Sequence, residues 1–83
     1  MSFYSYVLRS TKNGILYKGS TQNLEKRLQT HNSGKVKFTS KNIPWELVLS
    51  EEFSTRSEAV KREKWYKSGV GRDWINSKLQ PTI

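Results

Sequence analysis

An Asn13-Gly14 dipeptide stands between two short runs rich in aromatic and branched residues, FYSYVLR at Phe3–Arg9 and ILYKGS at Ile15–Ser20. Asn-Gly enters the positive-φ conformations of a tight hairpin turn with little strain, and residues of this type suit a half-buried pleated surface. The chain is therefore expected to open with an antiparallel strand pair. Side-chain alternation puts Tyr4, Tyr6 and Leu8 on one face of the first strand and Ile15, Tyr17 and Gly19 on one face of the second. Tyr6 and Tyr17 should then be neighbours.

Downstream, TQNLEKRLQTH (Thr21 to His31) has helix formers at its centre, polar starters at Thr21 or Asn23, and Leu24 and Leu28 as an i,i+4 apolar stripe. Arg27 and His31 form a parallel i,i+4 pair. Residues 32–44 turn polar and basic, with Gly34 and Pro44 as breakers, and predict a mobile loop carrying Lys35, Lys37 and Lys41. WELVLSEEF (Trp45 to Phe53) predicts a third strand. Thr55-Arg56-Ser57-Glu58 then has the form of a capping box and predicts a helix from Arg56 to about Ser68, closed by Gly69 in the left-handed position. Gly71 permits a turn, and Arg72 to Leu79 predicts a short closing helix that docks Trp74, Ile75 and Leu79.

With 83 residues there is room for one hydrophobic core. The expectation is one domain over 1–79 and a loose tail at 80–83. Ten aromatic residues must supply much of the burial, because the chain has no Cys and so neither disulfides, Cys-based zinc sites nor thiol nucleophiles. No apolar run approaches a membrane span and the N-terminus reads as a strand, which points to the cytoplasm and excludes a membrane partner. Fifteen Lys and Arg against seven Asp and Glu give a net charge of +8, the footprint of a chain that meets polyanions, nucleic acid foremost. Lys61, Lys64 and Lys67 recur on the Arg56–Ser68 helix beside Arg62, and with the basic loop they form a candidate nucleic-acid surface.

On that helix Ala59, Glu63 and Tyr66 share one face, so a carboxylate sits within a semi-apolar stripe. Two readings stand side by side. Glu63 pairs with Lys67 at i+4 along the surface, or it is a single oxygen ligand of a hard divalent cation. His31, the only histidine, either satisfies the last carbonyls of its helix or joins Arg27 as a proton-transfer group beside a phosphate-gripping guanidinium. Tyr6 and Tyr17 are core aromatics or part of the same site.

These residues together resemble the GIY-YIG nucleases, in particular small stand-alone proteins similar to the catalytic N-terminal domain of the bacterial excinuclease nuclease subunit. The resemblance runs over roughly Phe3 to Ile75. Tyr4-Ser5-Tyr6 stands where the first triplet ends in Tyr, Tyr17-Lys18-Gly19 matches the second, and Arg27, His31 and Glu63 align with the following helix positions. The first triplet lacks its Gly and Ile, and Lys18 replaces an apolar residue; by strand alternation Lys18 points away from Tyr17 toward solvent or phosphate.

The resemblance implies an α/β (α+β) sandwich with a three-stranded antiparallel sheet flanked by helices. It also implies a catalytic set of Tyr6, Tyr17, Arg27, His31, Glu63 and Asn76, with Mg²⁺ or Mn²⁺ held by Glu63 and waters, Arg27 stabilising the transition state, and either tyrosine serving as base. The leading expectation is a metal-dependent endonuclease acting on DNA, in repair or recombination, with specificity from the 32–44 loop, homodimerisation or a protein partner. The alternative is a non-catalytic nucleic-acid-binding module that keeps the basic face. A third option is an RNA-directed or adaptor role.

Overall fold

In the computed structural model, which describes residues 1–80, the hairpin forms around Gly14 at φ +79°. Strand β1 (Phe3–Ser10) pairs antiparallel with β2 (Leu16–Thr21), bringing Tyr6 opposite Gly19 and Leu8 opposite Tyr17. The turn keeps Ile15 out of the second strand and 51% exposed, so Ile15 does not share the Tyr17 face as alternation alone suggested. Strand β3 (Trp45–Phe53) pairs with the other side of β1, giving the order β2-β1-β3. An irregularity between Val7 and Leu8 pairs Val7 with Leu49 and Leu8 with Leu47, and this lets the consecutive residues Val48 and Leu49 pack on the same side.

Helix α1 (Leu24–Asn32) starts at Asn23, whose side chain accepts the Lys26 N–H; Thr21 belongs to β2 instead. Leu24 and Leu28 pack over Tyr6, Leu8, Trp45 and Tyr17. The segment between α1 and β3 is tied down more than its composition suggests. Asn32 Oδ1 accepts the Trp45 N–H at 2.6 Å and its Nδ2 donates to Trp45 O at 3.0 Å. Trp45 Nε1 donates to the carbonyl of the buried Thr39 at 2.9 Å.

Helix α2 (Arg56–Tyr66) begins with both halves of the capping box formed, Thr55 and Glu58 each satisfying the other's backbone N–H, a feature worth about 1 kcal/mol. It ends two residues earlier than predicted because Ser68 caps the next helix, α3 (Gly69–Leu79), by accepting the Gly71 N–H. Gly69 is therefore the first residue of α3 and not a left-handed stop, and α3 starts three residues before Arg72. Gly71 also departs from the expected turn. It is buried in the first turn of α3, where an added Cβ would lie 1.8 Å from the Trp65 carbonyl oxygen, so only Gly allows α2 and α3 to meet so closely.

Two apolar layers result, one on each face of the sheet. α1 covers the Tyr6 face, while α2 and α3 cover the opposite face through Val7, Tyr66 and Ile75, with Trp65, Trp74 and Leu79 around them. This is the expected α+β sandwich. Arg62 belongs to the second layer: its Nε donates to Glu51 at 2.7 Å and its guanidinium lies 4.0 Å from the Trp65 ring centroid and 4.8 Å from that of Trp74. Gln80 follows α3 in extended conformation, and the rest of the expected tail, 81–83, lies outside the described residues.

Candidate active site

The site grows from β1. Tyr6 points toward α1 and carries its hydroxyl across the edge strand β2 at Gly19, where a Cβ would fall 2.5 Å from the phenol oxygen. Gly19 is thus the residue that leaves room for the Tyr6 hydroxyl. That hydroxyl lies 3.1 Å from His31 Nε2 and accepts a hydrogen bond from Arg27 Nε at 3.4 Å. The two helix residues meet it together because their i,i+4 spacing puts them on one face of α1.

His31 is fully buried, and its Nδ1 lies 2.9 Å from Thr39 Oγ1. The Thr39 hydroxyl points its own proton at Val36 O, 3.4 Å away, which leaves it to accept from Nδ1–H and assigns the free lone pair of His31 to Nε2. Tyr6 then donates to Nε2. Burial first, and the Arg27 charge second, push the imidazole down to about 4, so it is neutral at physiological pH. Burial likewise raises the Tyr6 phenol, a rise opposed by the Arg27 hydrogen bond and reinforced by the charges of Tyr17 and Glu63.

Tyr17 completes the cluster, its ring centroid 4.8 Å from that of His31 and 6.4 Å from that of Tyr6. The adjacency expected from strand alternation is present. The Arg27 guanidinium donates to the Tyr6 phenol and rises above its ordinary range, that hydrogen bond being the largest cause and the nearby Tyr17 phenol a smaller one. Tyr6 is 2% exposed, whereas Tyr17 lines an open recess with Leu16, Lys18, Phe38 and Lys67.

Glu63 stands apart from these hydrogen bonds. Its Oε2 accepts from Lys67 Nζ at 2.9 Å, the i,i+4 pair that its spacing allows, while its charge is felt at the Tyr6 phenol. Asn76 lies on α3 in an adjoining recess with Leu16, Lys18, Arg72 and Ile75 and shares only Leu16 and Lys18 with the Tyr17 recess. The lysines divide as well. Lys18 and Lys67 border the recess, and Lys35, Lys37 and Lys41 lie exposed on the segment before β3. Lys61 lines a separate surface with Phe53, Glu58, Arg62 and Trp65, and Lys64 is exposed. A three-residue repeat drifts by roughly 60° per step around a helix, so Lys61, Lys64 and Lys67 do not form one stripe.

Among the described residues no three of His, Cys, Asp or Glu gather in one place. The donor set available to a metal is the Glu63 carboxylate, 22% exposed. One hard oxygen ligand next to open water fits a Mg²⁺-like ion that keeps most of its hydration shell, and does not fit zinc or another ion needing three or four protein ligands. Thr39, the partner of His31, is the position of this cluster that the residue patterns left unnoticed, since a threonine in a polar loop carries no signal of its own. Gly19 is legible in the sequence only as the end of the second triplet and not as the space for the Tyr6 hydroxyl.

The three-stranded α+β sandwich thus brings two phenols, an imidazole and a guanidinium together on its α1 side, with Tyr17 also lining a recess bordered by two lysines. The comparisons give that layout its family. Residues 2–76 match the sequence profile described as the GIY-YIG catalytic domain, and the chain belongs to this family of nuclease domains. It is 49% identical over 67 residues to a UPF0213 protein of Bacillus licheniformis, the match covering 80% of this chain and 68% of that one. It is 41% identical over 71 residues to the UPF0213 protein YsiG of Lactococcus lactis, covering 84% and 67%. The solution NMR structure of a UPF0213 protein from Bacillus halodurans superimposes with a TM-score of 0.55 at 32% identity, over 95% of this chain and 86% of that one. No helix among the described residues is long and apolar enough to cross a membrane.

Proposed function

We propose that the protein is a divalent-metal-dependent endonuclease that hydrolyses DNA phosphodiester bonds. The observation that carries this reading is the Arg27 guanidinium bound to the Tyr6 phenol, with the Tyr17 ring beside Tyr6 and Tyr17 itself lining a recess bordered by Lys18 and Lys67. Membership of a nuclease family and a net charge of +8 support it.

Each residue has a part. Lys18 and Lys67 draw the phosphate backbone into the recess, and Arg27 meets the charge that develops on the phosphoryl oxygens as water attacks phosphorus and the leaving-group oxygen departs. Tyr17, the phenol that lines the open recess, orients the attacking water and, once its own proton has been lost to solvent, takes the water's proton at Oη. Tyr6 holds Arg27 in place, and neutral His31 fixes Tyr6 by accepting its proton in a hydrogen bond. Glu63, with waters, would hold Mg²⁺ or Mn²⁺, which when bound would supply positive charge to the phosphate ester. Asn76 and Arg72 extend the polar surface beyond Lys18. Specificity comes from the 32–44 segment, from a second copy of the chain or from a partner protein.

The test is incubation of wild-type protein and Glu63→Ala with labelled duplex, single-stranded, flapped and branched DNA, with Mg²⁺ or Mn²⁺ and with chelator. Metal-dependent cleavage lost in the variant supports the proposal. Failure of the wild type to cleave any of these substrates overturns it.

A second reading, binding without turnover, draws on the Lys67 ammonium that sits on Glu63 Oε2. On that reading DNA affinity falls steeply with salt while Glu63→Ala changes neither binding nor the substrate.

A further inference from the structure

Phe38 is 81% exposed, although the chain relies on aromatic residues to build both of its apolar layers. Its ring is free on the side away from the protein. On the inner side its centroid lies 6.0 Å from that of Tyr17, which connects it to Tyr6 and His31. Between Phe38 and Tyr17 opens a recess of about 410 Å³ lined by Leu16, Tyr17, Lys18, Phe38 and Lys67. That volume falls within the roughly 300–1,000 Å³ of small-ligand sites.

The charge of the recess is unbalanced. Lys67 shares its ammonium with Glu63, but Lys18 has no such partner among the described residues, and burial together with the charges of Arg72 and Lys67 lowers it from its ordinary range. An anion placed there would relieve the crowding of cations. A flat aromatic face beside an anion-seeking pair of lysines matches the two halves of a nucleotide: a base that stacks and a phosphate that is gripped. A base inside a duplex has no free face to offer Phe38.

We propose that the recess binds one unpaired nucleotide of a DNA strand, its base stacked on Phe38 and its phosphate between Lys18 and Lys67. The binding site stands on its own geometry; only the further step, that DNA with a single-stranded or extruded base beside the cleaved bond is the preferred substrate, rests on the nuclease reading above.

Fluorescein-labelled oligothymidylate, a duplex with a single-stranded flap and a blunt duplex are titrated by anisotropy in chelator, so that no cleavage intervenes. Phe38→Ala should bind the oligothymidylate and the flapped duplex about tenfold more weakly than wild type and the blunt duplex equally well. Phe38→Tyr should restore the affinity, and thermal melts of both variants should match wild type because the ring is exposed. Unchanged single-strand affinity in Phe38→Ala, an equal loss on blunt duplex, or no single-strand binding by wild type overturns the proposal. Absence of cleavage by wild type in Mg²⁺ overturns the nuclease reading and leaves this site standing.

Discussion

The Tyr6 hydroxyl and His31 Nε2 lie 3.1 Å apart where solvent scarcely reaches, Tyr6 being 2% exposed and His31 fully buried. A protonated imidazole would have no lone pair for the phenol and would face Arg27 at close range, so folding selects the neutral ring. Folded His31 resists protonation down to pH about 4, whereas in the unfolded chain it takes a proton near 6.5.

Stability should follow from that difference. Between those two values the unfolded state binds the extra proton, so the contribution is complete above about pH 6.5 and is lost as pH falls toward 4. It is bounded by about 3 kcal/mol, from 1.36 kcal/mol per pKa unit. Urea melts of wild type and His31→Gln from pH 7.5 to 4 check it. A slope of equal size in both proteins would show that other groups set the acid limit.

The Thr39 hydroxyl should matter chiefly through His31, its shorter contact, and less through the 3.4 Å bond to Val36 O. Thr39→Val keeps the side-chain shape and removes the acceptor for Nδ1–H, leaving a buried donor unpaired at a cost of about 1–3 kcal/mol. The variant is expected to lose stability and DNA cleavage together, and Thr39→Ser to recover both. Recovery of stability without activity would remove Thr39 from any role in positioning the imidazole.

Two buried tyrosine hydroxyls allow a contrast. Tyr66 donates to Glu51 and lies 2.9 Å from Ser5 Oγ, and burial raises its phenol to about 12, with the Glu51 hydrogen bond adding to the rise. It belongs to the layer opposite the site. Tyr66→Phe should cost about 1 kcal/mol of stability and leave turnover intact, while Tyr6→Phe should lower turnover about 100-fold by releasing Arg27. Single-turnover rates beside thermal melts separate the two; equal turnover in both variants would refute the arrangement.

The glycines make a third set. Gly71→Ala drives a Cβ into the Trp65 carbonyl and should destabilise by more than about 2 kcal/mol, whereas Gly69→Ala meets open space at a helix start and should stabilise by up to about 1 kcal/mol. Gly19→Ala presses on the Tyr6 hydroxyl, the far end of a side chain, and is expected to reduce turnover more than stability. Denaturation midpoints with activity at matched folded fraction decide all three.

Local signals carried most of the fold. The Asn13-Gly14 turn, the run from Trp45 to Phe53 and the Thr55–Glu58 box act within a few residues of themselves, and β1, β3 and α2 each start where those residues placed them. The α2–α3 junction was less legible. Gly69 carries the usual mark of a helix end, but the close approach at Gly71 turned Ser68 into a cap, and this depends on how two helices pack. In the site, strand alternation was enough to bring Tyr6 beside Tyr17, and helical spacing was enough to align Arg27 with His31. Thr39 reaches His31 only after the 32–44 segment folds back, and Arg62 left the expected basic surface because Glu51 and the tryptophans claimed it.

Because β1 is the middle strand, its consecutive residues serve opposite halves of the molecule, Tyr6 and Leu8 toward α1 and Val7 toward α2 and α3. Inserting or deleting a single residue ahead of Tyr6 would exchange these assignments, sending the phenol into the tryptophan layer and valine into the place of the polar cluster. Length variation in descendants of this chain is therefore confined to its connections, and β1 can change its letters but not its count.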